Sequence, residues 1–314
     1  MPIFLFPGQG AQFPGMGIDL FNADFDGSMG IRSLFETASE VLGQNIQDIL
    51  NSDTEFLKRT DISQPAITVV SLAASLCLKS RNIIPTACAG FSLGEYPALA
   101  VSGVLSITNT IKLVMNRGKI MQDACGALKK SSSVPPGMIA ILGLSPEQVD
   151  RVIADFPIEG LFAANYNSPK QTVVSGTADA LSLVEEIFKK AGARRVVTLK
   201  VAGPFHSPLM RDAADSFAKT LNDVIFTDPV LPLYSNVTGL RITSGEEAKK
   251  NALLHISNPV LWTKEEQSIA FLMAENGDDT LIEVGPGSVL AGLWRDSRQK
   301  GFCTSYTEFM QVDA

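Results

Sequence analysis

Residues 85–96 read PTACAGFSLGEY. The run of small and apolar residues from Pro85 to Phe91 predicts a short, buried central strand, and the strand ends at Ser92. The residues that follow, LGEYPALAVSG, predict a helix. Gly90-Phe91-Ser92-Leu93-Gly94 is therefore a G-x-S-x-G set between a strand and a helix, the context in which a serine is presented as a nucleophile at the tip of a sharp turn. Glycines permit the turn where a Cβ would clash, and the N-terminus of the helix supplies backbone N–H groups that stabilise an oxyanion. The plain alternative is a strand-to-helix turn capped by Ser92.

Outward from this turn the chain alternates strands and helices. PIFLF (2–6) predicts a buried strand running into the tight turn Gly8-Gln9-Gly10. Apolar residues at helical spacing predict a helix over 31–43, and apolar, Ala-rich stretches predict helices over 66–79 and 106–124. The expected class is α/β with a parallel sheet. The middle of the chain has another rhythm. A strand over 137–144 precedes a helix opened by Ser145 and Pro146, then strands over 161–165 and 172–175, a helix over 178–191 stopped by Gly192, and a strand over 194–201. This β-α-β-β-α-β order predicts a small ferredoxin-like domain inserted at 127–201, between residues 1–126 and 202–314 of the larger one. Beyond it come a helix over 209–224, a strand over 231–235, helices over 245–256 and 263–276, a strand over 281–284 and a last helix from about Ser288.

A serine nucleophile needs a base that titrates near neutrality, usually histidine, and the chain has two. His206 lies in GPFHSP (203–208), a loop returning the chain from the insert to the large domain, where a cleft is expected. His255 lies within a predicted helix, where packing or capping is the default, so His206 is favoured. No Asp or Glu declares itself as a third member, and a backbone carbonyl serves equally to orient the imidazole. Arg117 sits in a helix amid apolar residues. It is either an exposed helical arginine or a planar clamp for a carboxylate.

The bulk numbers exclude other classes. The chain has 314 residues, 45% hydrophobic and 19% charged, with a formal net charge of −7. This is ordinary globular composition with no basic stripe for nucleic acid. The four cysteines lack metal-site spacing, which fits free thiols in a reducing compartment. No secretory leader and no membrane-length apolar run stand out, so a cytoplasmic protein is expected. Lys189, Lys190, Arg194 and Arg195 form short basic clusters, either solvated surface or a docking patch for an acidic partner.

Together the motifs identify a family. FPGQGAQFPGMG (6–17), ISQPAI (62–67), GFSLGEY (90–96), NRGKIMQ (116–122), NYNSPKQTVVSG (165–176), GPFHSPLM (203–210), NPVLW (258–262) and EVGPGSVLAGL (283–293) occur in order over nearly the whole chain. The chain resembles the malonyl-CoA:acyl carrier protein transacylases and the acyltransferase domains of polyketide synthases. The resemblance implies an α/β-hydrolase-like large domain with the active site in the cleft beside the insert. Ser92 would carry the acyl ester and His206 would be the base. Backbone N–H groups of Gln9 and Leu93 would form the oxyanion hole. Arg117 would pair with the malonyl carboxylate, with Asn167 near the acyl or pantetheine path. The backbone carbonyl of residue 255, His255 here where the family usually has glutamine, would orient His206. Phe205 would favour malonyl over methylmalonyl, and Phe91 replaces a usual histidine beside the serine. The implied partners are malonyl-CoA and an acyl carrier protein, with neither nucleic acid nor membrane, no metal or bound cofactor, and a monomeric chain. The alternatives are a hydrolase of acyl carrier protein thioesters and a free-standing acyltransferase with non-malonyl selectivity.

Overall fold

The computed structural model describes residues 2–130, 135–156 and 158–312. Its strands are β1 (Ile3–Phe6), β2 (Ala87–Gly90), β3 (Gly137–Leu142), β4 (Leu161–Ser168), β5 (Gln171–Gly176), β6 (Arg195–Thr198), β7 (Leu233–Tyr234), β8 (Arg241–Ile242), β9 (Thr280–Glu283) and β10 (Phe302–Ser305). They form two sheets among the described residues. The larger has the order β10-β9-β1-β2-β7-β8 and is parallel except for the edge strand β8, which pairs antiparallel with β7. The molecule is thus mixed α/β with a largely parallel sheet, as the alternating pattern predicts.

The central strands are short because they are buried on both faces. On β1, Phe4 and Phe6 point into one apolar cluster and Ile3 and Leu5 into another on the opposite face. Cys88 and its neighbours Ala87 and Ala89 divide the same way on β2. Helix Thr60–Ser80 lies against this core and packs on helix Ile107–Lys130. By length and composition it would cross a membrane, but 83% of its most apolar window is buried inside the protein. It starts six residues before the predicted helix over 66–79, because Pro65 falls near its beginning and forfeits one backbone bond without ending it.

The second sheet is antiparallel, in the order β4-β5-β3-β6, and carries helices Pro146–Asp155 and Ala178–Lys190. The expected succession of elements is present. Ser145 caps the first helix with a reciprocal capping box to Gln148. The alternation along β3 explains how the unit docks. Ile139 and Ile141 pack with Val149, Val184 and Phe188 in the unit's own core, while Met138 and Ala140 face the main core. β4 is also stitched to the segment before helix Trp262–Asn276: Tyr166 N–H donates to the Val260 carbonyl at 2.9 Å, and Val260 N–H to the Ala164 carbonyl at 2.8 Å.

Several boundaries differ from the sequence reading. The helix expected over 106–124 continues to Lys130, so residues 127–130 belong to it. The helix expected over 245–256 ends at Leu254, whose carbonyl is taken up by the Ser257 and Asn258 backbone N–H groups and by the Asn258 side chain. The short helices Ile18–Ala23, Ile46–Leu50 and Thr54–Leu57, the edge strands β8 and β10 and the helix Tyr306–Val312 carry too little periodicity to be legible alone.

Candidate active site

β1 and β2 are neighbours in parallel register, Phe6 opposite Gly90, so the loops that leave them emerge side by side. Phe91 N–H donates to the Phe6 carbonyl at 2.9 Å. The approach is close enough to require glycine. A Cβ on Gly94 would fall on the Phe6 carbonyl, one on Gly90 on the Gly94 carbonyl, and one on Gly8 would lie 2.6 Å from the Phe91 oxygen. Ser92 takes φ +52°, a left-handed conformation that a serine holds only when its surroundings impose it. The one-turn helix Ser92–Gly94 and the helix Glu95–Val101 follow directly. The sequence-predicted strand, turn and helix are all present.

His206 also has left-handed backbone, at φ +56°. Its loop is held from the antiparallel sheet by Ser175 on β5, whose Oγ donates to the Phe205 carbonyl at 2.6 Å, and internally by Ser207 Oγ donating to the Pro204 carbonyl at 2.6 Å. The imidazole bridges two elements. Nε2 lies 2.8 Å from Ser92 Oγ, and Nδ1 lies 2.9 Å from the His255 carbonyl. A carbonyl only accepts, so Nδ1 carries the proton and Nε2 presents a lone pair to the serine hydroxyl. That carbonyl is open because the helix stops one residue earlier, leaving the terminal acceptors without intrahelical partners. Burial, with the Arg117 charge adding to it, pushes the His206 pKa down to about 4. The base is therefore neutral and ready at neutral pH.

The His255 side chain is fully buried against the His206 ring, centroids 5.0 Å apart, with both nitrogens lacking a hydrogen-bond partner among the described residues. Burial holds it neutral, well below the usual histidine range. A cavity of about 230 Å³ joins Ser92 and His206 to Gln9, Phe91, Arg117, Asn167 and Phe205. Leu93, the residue after Ser92, is buried. Asn167 on β4 has its Oδ1 unpaired among the described residues. Phe91 packs edge-on against Trp262, centroids 5.4 Å apart, and Phe205 is buried beside His206.

Arg117 is 1% exposed, which rules out the exposed-arginine reading. Gly118 lets its helix press against the Thr60 carbonyl, 2.7 Å from where a Cβ would stand. Nη1 donates to Gln64 Oε1 at 2.9 Å, while Nε and Nη2 have no partner among the described residues. The guanidinium also lies over the Tyr96 ring, 5.4 Å from its centroid. A buried cation with two unpartnered donors, lining the same cavity as Ser92 and His206, is chemically able to accept an anionic group there.

Sequence reasoning missed four supporting residues. Gln64 was visible only as part of the ISQPAI stretch. Asn236, Glu95 and Glu265 are fully buried around the Ser92 turn; Glu95 was visible only as part of the GFSLGEY stretch, and nothing local in the sequence marks Asn236 or Glu265. Lys58 and Lys200 line the same cavity and were equally unmarked.

The chain and its fold have many relatives. The chain is 38% identical over 296 residues to the malonyl CoA-acyl carrier protein transacylase of Bacillus subtilis (strain 168), covering 92% of this chain and 88% of that one. The crystal structure of a protein named MCAT from Streptococcus pneumoniae superposes with a TM-score of 0.89 at 30% identity, over 100% of both chains. A malonyl-transacylase solved in complex with its type II PKS acyl-carrier protein gives a TM-score of 0.85 at 33% identity, over 96% of this chain and 94% of that one. The family described as the acyl transferase domain matches residues 3–305, and the chain, which carries its serine and histidine in one buried cavity, belongs to that family.

Proposed function

We propose that the protein transfers a malonyl group from malonyl-CoA to the phosphopantetheine thiol of an acyl carrier protein, for fatty acid or polyketide synthesis. The observation that carries this reading is the joint placement of the Ser92–His206–His255 carbonyl relay and the open face of Arg117 in one cavity. The malonyl-specific names of the relatives support it.

Ser92 Oγ attacks the thioester carbonyl while His206 Nε2 takes its proton, and the tetrahedral oxyanion forms against the backbone N–H groups of Gln9 and Leu93. Collapse breaks the C–S bond, and coenzyme A leaves with the proton returned from His206. In the second half His206 deprotonates the carrier protein's thiol, which attacks the seryl ester. The Ser92 oxygen leaves and is reprotonated, and the malonyl thioester is released. The cycle uses no metal or bound cofactor. Arg117 pairs with the malonyl carboxylate through Nε and Nη2, Asn167 lines the acyl or pantetheine path, Phe205 crowds the acyl group's second carbon, and Phe91, lining the same cavity, bears on acyl selectivity.

In this reading the large sheet and its helices, 1–126 and 202–314, are an α/β-hydrolase-like domain, and 127–201 is a ferredoxin-like insert carried on the long helix. The antiparallel order of its strands supports that assignment. The carrier protein docks as an acidic partner. Lys189 and Lys190 are paired with Glu185 and Glu186, which blunts them, whereas Arg194 and Arg195 line a cavity of about 640 Å³ with Lys170, Arg295 and Arg298. A cytoplasmic monomer completes the reading, in keeping with four free thiols.

Intact mass after brief exposure to malonyl-, methylmalonyl- and acetyl-CoA tests the proposal. A malonyl adduct that is absent in Ser92→Ala and passes to a carrier protein is expected. Rapid release of free malonate without an adduct would make the protein a hydrolase.

A further inference from the structure

The amide of Asn236 spans the nucleophile turn. Asn236 follows β7, which lies beside β2, and is fully buried. Its Oδ1 accepts from the Ser92 backbone N–H at 2.6 Å, and its Nδ2 donates to the Gly90 carbonyl and to Glu265 Oε2, the latter at 3.0 Å. The amide has one workable orientation, since turning it over would set donor against donor at Ser92 and acceptor against acceptor at Gly90. Its own backbone is fixed on both sides: Asn236 N–H donates to Glu95 Oε2 at 2.9 Å, and Leu261 N–H donates to the Asn236 carbonyl at 2.8 Å.

We propose that Asn236 is a positioning residue for the nucleophile, its side-chain amide clamping both ends of the Gly90–Ser92 turn and so holding Ser92 in the left-handed backbone from which Oγ meets His206. The proposal rests on Ser92 being the nucleophile. Left-handed backbone is unfavourable for serine and persists only where neighbouring contacts over-determine it. A single amide that satisfies the residue at the turn and the residue two before it is such a contact. It also assigns the amides. The Ser92 N–H is taken up by Asn236, so the oxyanion must be met by other donors, in keeping with Gln9 and Leu93.

The surroundings supply a diagnostic variant. The charged groups around Asn236 are the carboxyls of Glu95 and Glu265, with Glu266 and Arg117 beyond them. Asn236→Asp keeps the acceptor for Ser92 N–H but sets an oxygen against the Gly90 carbonyl and Glu265. Only a protonated Asp restores a donor there, so the variant should recover in acid. A loss of fold would lower malonyl-CoA binding along with labelling, whereas a misplaced Ser92 lowers labelling alone.

The test measures the rate at which a fluorophosphonate labels Ser92 in the full chain, which needs no malonyl group. Asn236→Ala should label about 100-fold more slowly than the unsubstituted protein, the size expected for a misplaced reacting atom. Malonyl-CoA binding, compared between Ser92→Ala and the Ser92→Ala/Asn236→Ala double variant, should stay within about twofold. Asn236→Asp should label slowly near pH 8 and recover about tenfold or more, relative to the unsubstituted protein, near pH 5. Should Asn236→Ala fail to fold, Asn236→Asp decides alone. Labelling of Asn236→Ala at the unsubstituted rate, or a deficit of Asn236→Asp that is equal at every pH, overturns the clamp. Labelling without any malonyl adduct would sink the transferase reading and leave the clamp standing. No labelling of Ser92 in the unsubstituted protein would overturn both.

Discussion

Arg117, which lines the cavity that holds Ser92, gives one guanidinium nitrogen to Gln64, Nη1 to Oε1 at 2.9 Å, while its buried Nε and Nη2 have no hydrogen-bond partner among the described residues. Gln64 thus sets the plane of the fork without neutralising it. A neutral partner keeps the full positive charge for the substrate, where a carboxylate partner would cancel it.

Arg117→Ala should separate malonyl from acetyl use. Each charge-assisted hydrogen bond is worth about 1.5–3 kcal/mol, so losing two should lower kcat/KM for malonyl-CoA by ~100-fold or more. Acetyl-CoA, which has no carboxylate, should be used no worse than before. Steady-state rates with both thioesters check this, and equal losses would end the carboxylate-clamp argument.

The two histidines should respond differently. His206→Ala removes the base and should cost about 10²–10⁴-fold in acyl-enzyme formation. His255→Gln keeps the backbone carbonyl that accepts from Nδ1 and should cost less than about tenfold, because the His255 ring nitrogens make no hydrogen bond among the described residues. Stopped-flow rates of adduct formation distinguish them. A large loss in His255→Gln would assign a role to the stacked ring itself.

The acid limb of kcat/KM should be displaced. His206 is pushed down to about 4, by burial first and by Arg117 second. A base protonates as pH falls through its pKa, so activity should persist well below the usual histidine value of 6.5 and fall only near pH 4. An inflection near 6.5 in a pH–rate profile would show that the free enzyme hydrates this imidazole.

Glu266 should make the fold less stable in alkali. It accepts from Trp262 Nε1 at 3.0 Å, and burial raises its pKa to about 9. Above the unfolded value of 4.5 the unfolded chain releases this proton while the fold retains it, so stability is lost as pH rises from 4.5 towards 9. Glu266→Gln mimics the protonated acid without the proton. Its melting temperature should gain on the unsubstituted protein between about pH 5 and pH 8. A constant difference across that range would place the carboxylate in contact with water.

The two buried histidines work in the opposite direction. Their pKa values are depressed in the fold, so the unfolded chain takes up protons first as pH falls below 6.5. Glu95, Glu265 and Glu283, whose pKa values burial also raises, remain in Glu266→Gln with the same sign as Glu266, so only the difference from the unsubstituted protein isolates the Glu266 contribution.

Local pattern carried much of this molecule. The central strands were legible because burial on both faces writes a short apolar run, and the nucleophile turn because only glycine permits the contacts at Gly90 and Gly94. The elements of the antiparallel sheet were legible from their order and from caps such as Ser145. The edge strands β8 and β10 were not, since an edge pairs on one side only and shows little alternation. Asn236, Glu95 and Glu265 were silent for another reason. Each is an ordinary polar residue in the sequence, and it is the contacts of Asn236 with Glu95 and Glu265, from distant parts of the chain, that bring them together in the interior.

The sequence by itself determined the class of fold, the serine at the strand-to-helix turn, the histidine in the returning loop and the arginine between them, because turn chemistry and periodicity are local. Tertiary structure alone decided that Arg117 is buried with its fork open, that the helix ends at Leu254 and releases the His255 carbonyl, and that Asn236 bridges the turn. These depend on contacts between residues far apart in the chain, which no local pattern encodes.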